Sequence, residues 1–125
     1  MIKLSYTESL AFKKMGFNEE TDGYFIKRIP VECCCIDNWN KKGIDYVAMP
    51  NVSQAVDFLS TKKGIYISIS VHTNTEIRKV ELMATVTYTR DGYVVYQNEI
   101  GNRYTTVQNA LYAGVKNVLE TLKKL

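Results

Sequence analysis

From Ile65 to Ile100 the chain is written almost entirely in a two-residue period. Ile65, Ile67, Ile69 and Val71 alternate with Tyr66, Ser68, Ser70 and His72. After a polar stretch from Thr73 to Arg78, Val80, Leu82, Ala84, Val86 and Tyr88 alternate with Glu81, Met83, Thr85, Thr87 and Thr89. A period of two belongs to strands, because successive side chains point to opposite faces of a sheet. Asp91-Gly92 supplies the residue types of a two-residue hairpin turn, and Tyr93 to Ile100 reads as the returning strand. Three strands joined in this way make an antiparallel sheet with one apolar face, and that face needs a cover.

Helices on either side supply it. Val52, Ala55, Val56 and Leu59 form a helical stripe, preceded by Asn51 with Gln54 in a capping-box arrangement and followed, after Lys62-Lys63, by Gly64. Thr105 or Thr106 caps a final helix whose stripe is Val107, Leu111, Val115, Val118, Leu122 and Leu125. Gly114 falls inside that helix, where glycine costs about 1 kcal/mol relative to alanine. Close approach of a strand or of another chain accounts for it, and so does simple tolerance. The second half therefore reads α-β-β-β-α.

The first half is less regular. A short helix is expected from about Ser5 to Met15, capped by Thr7 and stopped by Gly16. Asp22-Gly23 marks a turn. Tyr24, Phe25, Ile26 and Ile29 read as a strand that Pro30 closes or pushes to an edge. Val31 to Ile36 is a further apolar run holding Cys33, Cys34 and Cys35, Asn38 to Gly43 a loop, and Ile44 to Ala48 a short strand. No linker rich in Pro, Gly or Ser separates the halves. The expectation is one α+β domain over residues 1–125. An N-terminal helix and short strands (1–49) are added to an α-β-β-β-α core (50–125), with helices packed on one face of an antiparallel sheet.

Net charge excludes little but weights the partners. The +3 balance of 16 basic and 13 acidic residues is too small a bias to imply a polyanionic partner. The cations come as scattered pairs, Lys13-Lys14, Lys27-Arg28, Lys41-Lys42, Lys62-Lys63, Arg78-Lys79 and Lys123-Lys124, the pattern of a solvated surface. No apolar run approaches the roughly 18–20 residues needed to span a bilayer. Met1-Ile2-Lys3 opens without a signal-peptide pattern, and three adjacent cysteines do not make a secreted disulfide framework. A cytoplasmic setting, with no membrane partner, is expected.

Catalytic chemistry has few residues to draw on. Cys33, Cys34 and Cys35 lack the paired ligand spacing of structural zinc, and their alternation in a strand would place only Cys33 and Cys35 on one side. His72 is the only histidine. A nucleophile–base–orienter set would have to join Cys or Ser to His72 and an unidentified acid. The carboxylates show no calcium-loop spacing, and no glycine loop is arranged for phosphate. No catalytic residue, metal site or cofactor is expected. The candidate binding surface is instead the outer sheet face: Tyr66, Ser68, Ser70, His72, Thr85, Thr87 and Thr89 should point away from the helices. Threonine and tyrosine suit a half-exposed pleated face, and tyrosine, of which the chain has nine, is enriched where partners dock. The third strand, at the sheet edge, could also pair with its twin in a homodimer.

Two resemblances follow. The order α-β-β-β-α resembles that of the double-stranded-RNA-binding domain. That family clamps RNA with a basic cluster at the start of its last helix, and here the position reads Thr105-Thr106-Val107-Gln108-Asn109, without lysine or arginine. A fuller likeness rests on the segments from Leu10 to Glu19, from Met49 to Leu59, from Gly64 to Ile67, and from Tyr104 to Leu119 with its Ala110-Leu111-Tyr112-Ala113-Gly114-Val115 core. In order and spacing these are similar to small uncharacterised proteins of phages and prophages in Bacteroides and related gut bacteria. Phe58-Leu59 stands where those proteins tend to show Trp-Leu, and Gln108-Asn109 where they tend to show an acidic pair. The likeness implies a mobile-element setting and a small α+β fold, and no particular activity.

The function expected is that of a non-enzymatic binding module, a phage or mobile-element accessory protein acting by contact with a host or phage macromolecule. A protein partner is favoured over nucleic acid. A nucleic-acid binder is the alternative, supported by the isoelectric point of 8.7, the cation pairs and the strand order. A small enzyme pairing one of the three cysteines with His72 comes third.

Overall fold

The computed structural model describes Met1–Lys124, and for Cys33 and Cys34 the backbone alone. The element order is α1 (Tyr6–Lys14), β1 (Thr21–Ile26), β2 (Ile29–Asp37), a 3-10 turn (Trp39–Lys41), β3 (Tyr46–Ala48), α2 (Val52–Lys63), β4 (Ile65–Asn74), β5 (Lys79–Arg90), β6 (Tyr93–Glu99) and α3 (Val107–Lys123). The chain is α+β, with two three-stranded antiparallel sheets ordered β2-β1-β3 and β4-β5-β6. It divides into two compact units, Lys3–Ala55 with Met1, and Val56–Leu125 with Ile2. The division falls within α2, six residues after the Met49/Pro50 boundary expected from the sequence.

In the first unit, α1 begins at Ser5 rather than at Thr7. The Ser5 hydroxyl accepts from the Glu8 N–H, and the Glu8 carboxylate accepts from the Ser5 N–H at 2.9 Å, a reciprocal capping box. The helix stops at Gly16, as its sequence predicts. Gly16, at φ 95°, donates to the Lys13 carbonyl, and the Phe17 N–H reaches back to the Phe12 carbonyl at 2.9 Å. The Phe12 and Phe17 rings meet edge-on at 6.2 Å, the apolar contact that accompanies this left-handed stop.

The core of this unit gathers Phe25, Val47 and Met49, with Tyr6 and Leu10 of α1 packed against them. The Tyr6 and Phe25 rings meet edge-on with centroids 5.5 Å apart. Asp22-Gly23 is not a turn; it lies inside β1. A side chain at Gly23 would meet Met49 Sδ at 3.2 Å, so the glycine serves close packing. The β1–β2 turn is Lys27-Arg28, with φ of 48° and 71°. Pro30 lies in β2, an edge strand, where its missing N–H costs no ladder bond.

Register is broken near the cysteines. Between Thr21 and Gly23 β1 advances two residues, while β2 runs from Asp37 to Glu32. The alternation expected of Cys33 and Cys34 concerns side chains that lie outside the described residues. Cys35 is exposed. Above the other face of this sheet Trp39 stacks on Tyr24, centroids 3.9 Å apart and planes at 23°, with Tyr46 alongside. The Trp39 indole donates to the Thr21 carbonyl at 3.2 Å.

The second unit follows the sequence more closely. Asn51 and Gln54, in the first unit, cap α2 reciprocally at 3.1 and 2.8 Å, and Gly64 ends it at φ 65°. β4 and β5 pair without interruption from Ile65–Tyr88 to Asn74–Lys79. Asp91-Gly92 turns into β6 with φ of 53° and 81°. Thr106, of the two threonines considered, caps α3, accepting from the Asn109 N–H. Ala110, Ala113, Gly114, Val115 and Val118 are buried on α3, whereas Val107 is 52% exposed and Leu125 lies outside the described residues. The buried stripe is thus built from smaller residues than the expected Val107–Leu125 series, and it packs against β4 and β5.

Candidate functional site

α3 approaches β4 at Ile67, so alternation sends Tyr66, Ser68, Ser70 and His72 to the opposite face. All four are exposed, Tyr66 by half. Register then fixes their neighbours on β5: Tyr66 lies opposite Thr87, Ser68 opposite Thr85, Ser70 opposite Met83 and His72 opposite Glu81. β6 adds Gln97 opposite Thr87 and Glu99 opposite Thr85. Gln97 Nε2 donates to Thr87 Oγ1 at 3.0 Å, which confirms that the two share a face. Thr85 and Thr87 are half-buried, and Met83, at the centre, is only 5% exposed.

Six of the seven residues expected on this face come together there. Thr89 lies one residue beyond the last β4–β5 pair, Ile65–Tyr88. A bulge between Tyr88 and Thr89 breaks the β5–β6 register, and the Thr89 hydroxyl donates to the Gly64 carbonyl at 2.7 Å.

At the His72 end the face runs into a cleft of about 480 Å³ lined by His72, Asn74, Glu76, Glu81 and Arg103. Beyond β6 the chain keeps alongside β5: Ile100 donates to Ala84, and Tyr104 and Leu82 exchange both backbone hydrogen bonds. That course brings Arg103 to 3.7 Å from Glu81. Ser70 Oγ lies 3.1 Å from His72 Nε2, so a hydroxyl and an imidazole do meet. Both are open to water, and among the described residues no carboxylate forms an ion pair with the ring. A serine nucleophile needs its base oriented and its site dried, and this pair has neither. Cys35 belongs to the first unit and His72 to the second. Among the described residues no three His, Cys, Asp or Glu side chains gather as a metal site requires, and no helix is long and apolar enough to cross a membrane.

The face is polar without being cationic. By alternation its formal charges are Lys79, Glu81 and Glu99, and Glu81 is engaged by Arg103. Hydroxyls and two amides, Asn74 and Gln97, make up most of the rest. Along its edge β6 begins Tyr93-Val94-Val95-Tyr96, each more than half exposed, with no lysine or proline in the strand. By contrast β2, an edge strand of the other sheet, carries Pro30 and Glu32.

Sequence reasoning missed Glu81, Gln97, Glu99 and Arg103 as members of this site. The first three were within reach, because the Asp91-Gly92 turn nearly sets the β5–β6 register. Arg103 was not, since its place depends on an irregular segment.

Comparison of the chain with protein-family models, with curated proteins and with solved structures finds no match. The class that fold and site define is an α+β chain with a polar, hydroxyl-rich sheet face and an apolar edge strand.

Proposed function

We propose that this chain is a non-enzymatic binding module whose partner is a protein, docked on the outer face of the β4–β6 sheet and its β6 edge. The observation that carries the reading is the continuity of two surfaces. A hydroxyl-rich face, Tyr66 to His72 with Thr85 and Thr87, runs into an edge strand whose first four residues are exposed and apolar. An open edge offers backbone donors and acceptors to an added strand, and alternate side chains give such pairing its specificity. Charge points the same way: two carboxylates and one lysine on the face suit a polypeptide better than a phosphate backbone. On the strength of the likeness to phage and prophage proteins, the proposal extends to an accessory protein of a mobile element.

The test combines two measurements. Wild type, a Tyr66→Glu/Thr87→Glu face variant and a Lys27→Glu control are used to capture partners from host lysate. A protein retained by wild type and control but lost from the face variant supports the reading; equal retention by all three overturns it. In parallel, fluorescence anisotropy of labelled DNA and RNA is titrated at low and physiological salt. Binding that weakens steeply with salt would replace the reading with a nucleic-acid one, because phosphate contacts release counterions.

A further inference from the structure

Away from the outer face, the second unit holds a cleft of about 390 Å³, a volume at the small end of the range for ligand sites. Its walls are Ile65, Tyr88, Val95, Tyr96 and Leu122, and its two charged lining residues are Lys63 and Arg90. The bulge makes this cleft. In a regular strand consecutive side chains leave on opposite faces, yet Val95, the extra residue of β6 at the bulge, and Tyr96 both line this space. The Tyr88 and Tyr96 rings stand 5.6 Å apart at 45°.

The cations come from element ends. Lys63 is the last residue of α2 and Arg90 the last of β5, so each is exposed and can reach the mouth of the cleft. Among the described residues neither forms an ion pair, and no acid lines the cleft. An apolar slot with two uncompensated cations and no anion is complementary to one kind of ligand.

We propose that this cleft binds a small apolar carboxylic acid, its alkyl or aryl body between Ile65, Val95 and Leu122 and its carboxylate between Lys63 and Arg90. Carboxylate recognition by guanidinium and ammonium groups is charge-assisted, and the apolar body gains from leaving water. This site does not depend on the protein-docking role of the outer face.

The experiment follows backbone amide shifts by NMR while the protein is titrated with octanoate, 1-octanol or octylammonium. Octanoate is expected to move the signals of Thr89, Arg90, Val95 and Thr121 and to leave Ser68 and Ser70 in place. It should bind about tenfold more tightly than octanol, since two partly exposed charge contacts contribute a few-fold each. Lys63→Gln/Arg90→Gln, with both changes on exposed side chains, should keep the fold and bring the two affinities together. The proposal is overturned if octanoate moves no signal up to its solubility limit, if the shifts fall outside the cleft, or if wild type binds octanol or octylammonium as tightly.

Discussion

A Cβ placed on Gly114 of α3 would lie 2.5 Å from Cγ2 of Ile67 on β4, closer than carbon atoms can approach. The glycine is therefore what lets α3 seat on the sheet, and its cost in helix propensity is offset by that packing. Gly114→Ala should destabilise the protein by about 1–3 kcal/mol, the usual cost of overpacking, although alanine is the better helix former by about 1 kcal/mol. In an Ile67→Ala background the obstructing methyl is gone, and the same substitution should become neutral or stabilising. Urea unfolding of the four proteins of this cycle measures the reversal. A Gly114→Ala effect of the same sign and size in both backgrounds would show that the contact is not the reason for the glycine.

The β1–β2 turn places Lys27 and Arg28 at positive φ, where a Cβ costs about 1 kcal/mol or more per residue. Asn-Gly suits such a turn far better. Lys27→Asn should therefore stabilise the protein by up to about 1 kcal/mol. Arg28→Gly should gain less, because the Arg28 guanidinium lies 5.4 Å from the centroid of the Tyr6 ring and that contact would be lost. Thermal midpoints of the two single variants separate the backbone gain from the cation–π loss; if Arg28→Gly stabilised more than Lys27→Asn, the Tyr6 contact would count for nothing.

The same turn shows why the first unit was hard to read. Turn signals are statistical consequences of φ, and Lys27-Arg28 violates them, while Asp22-Gly23 displays them from inside a strand where Gly23 is needed against Met49. Thr7 is an adequate cap by type, but only Ser5 has Glu8 three residues on. In the second unit Ile65–Val71 and Val80–Tyr88 each kept one period over many residues, so strand type, turn and register were all legible. The outer face followed directly, because one residue's side fixes that of every second neighbour. Bulges escape such reasoning. The one at Tyr88/Thr89 inserts Val95 into β6 without any change in composition, and Val95 becomes part of the wall of the second cleft.

Two charged groups of the first unit give a pH dependence of known sign. The Lys42 ammonium, 2.9 Å away, and then the Asn38 N–H hold the Asp37 carboxyl below its ordinary value of 3.8. A depressed folded pKa means that the stabilisation is present above the unfolded value and is lost as pH falls through the folded one. Asp37→Asn should therefore unfold earlier than wild type in urea at pH 6, and the two midpoints should converge below pH 3.8. For Lys3, burial works against the charge, but ion pairs with Asp22 at 3.2 Å and Glu32 at 3.4 Å outweigh it and hold the ammonium above 10.5. Its contribution is complete below 10.5 and is lost as pH rises through the higher folded value, so Lys3→Met should lose stability at pH 8 and converge with wild type in strong alkali. Midpoint differences that stay constant across both ranges would remove these ion pairs from the account.

Tyr88 carries a buried hydroxyl with no hydrogen-bond partner among the described residues, while its ring forms part of the wall of the Lys63–Arg90 cleft. Taking a hydroxyl out of water without a replacement partner costs about 1–3 kcal/mol, so the ring alone should serve the fold better. Tyr88→Phe keeps the wall and the contact with Tyr96 and should raise stability by up to about 1 kcal/mol, measured by urea unfolding. Octanoate titration of the same variant should still move Val95 and Thr121, since neither the apolar walls nor the two cations have changed. A loss of stability on removing the oxygen would mean that the hydroxyl has a partner in solution, such as a bound water, and that the tyrosine is kept for that bond rather than for its ring.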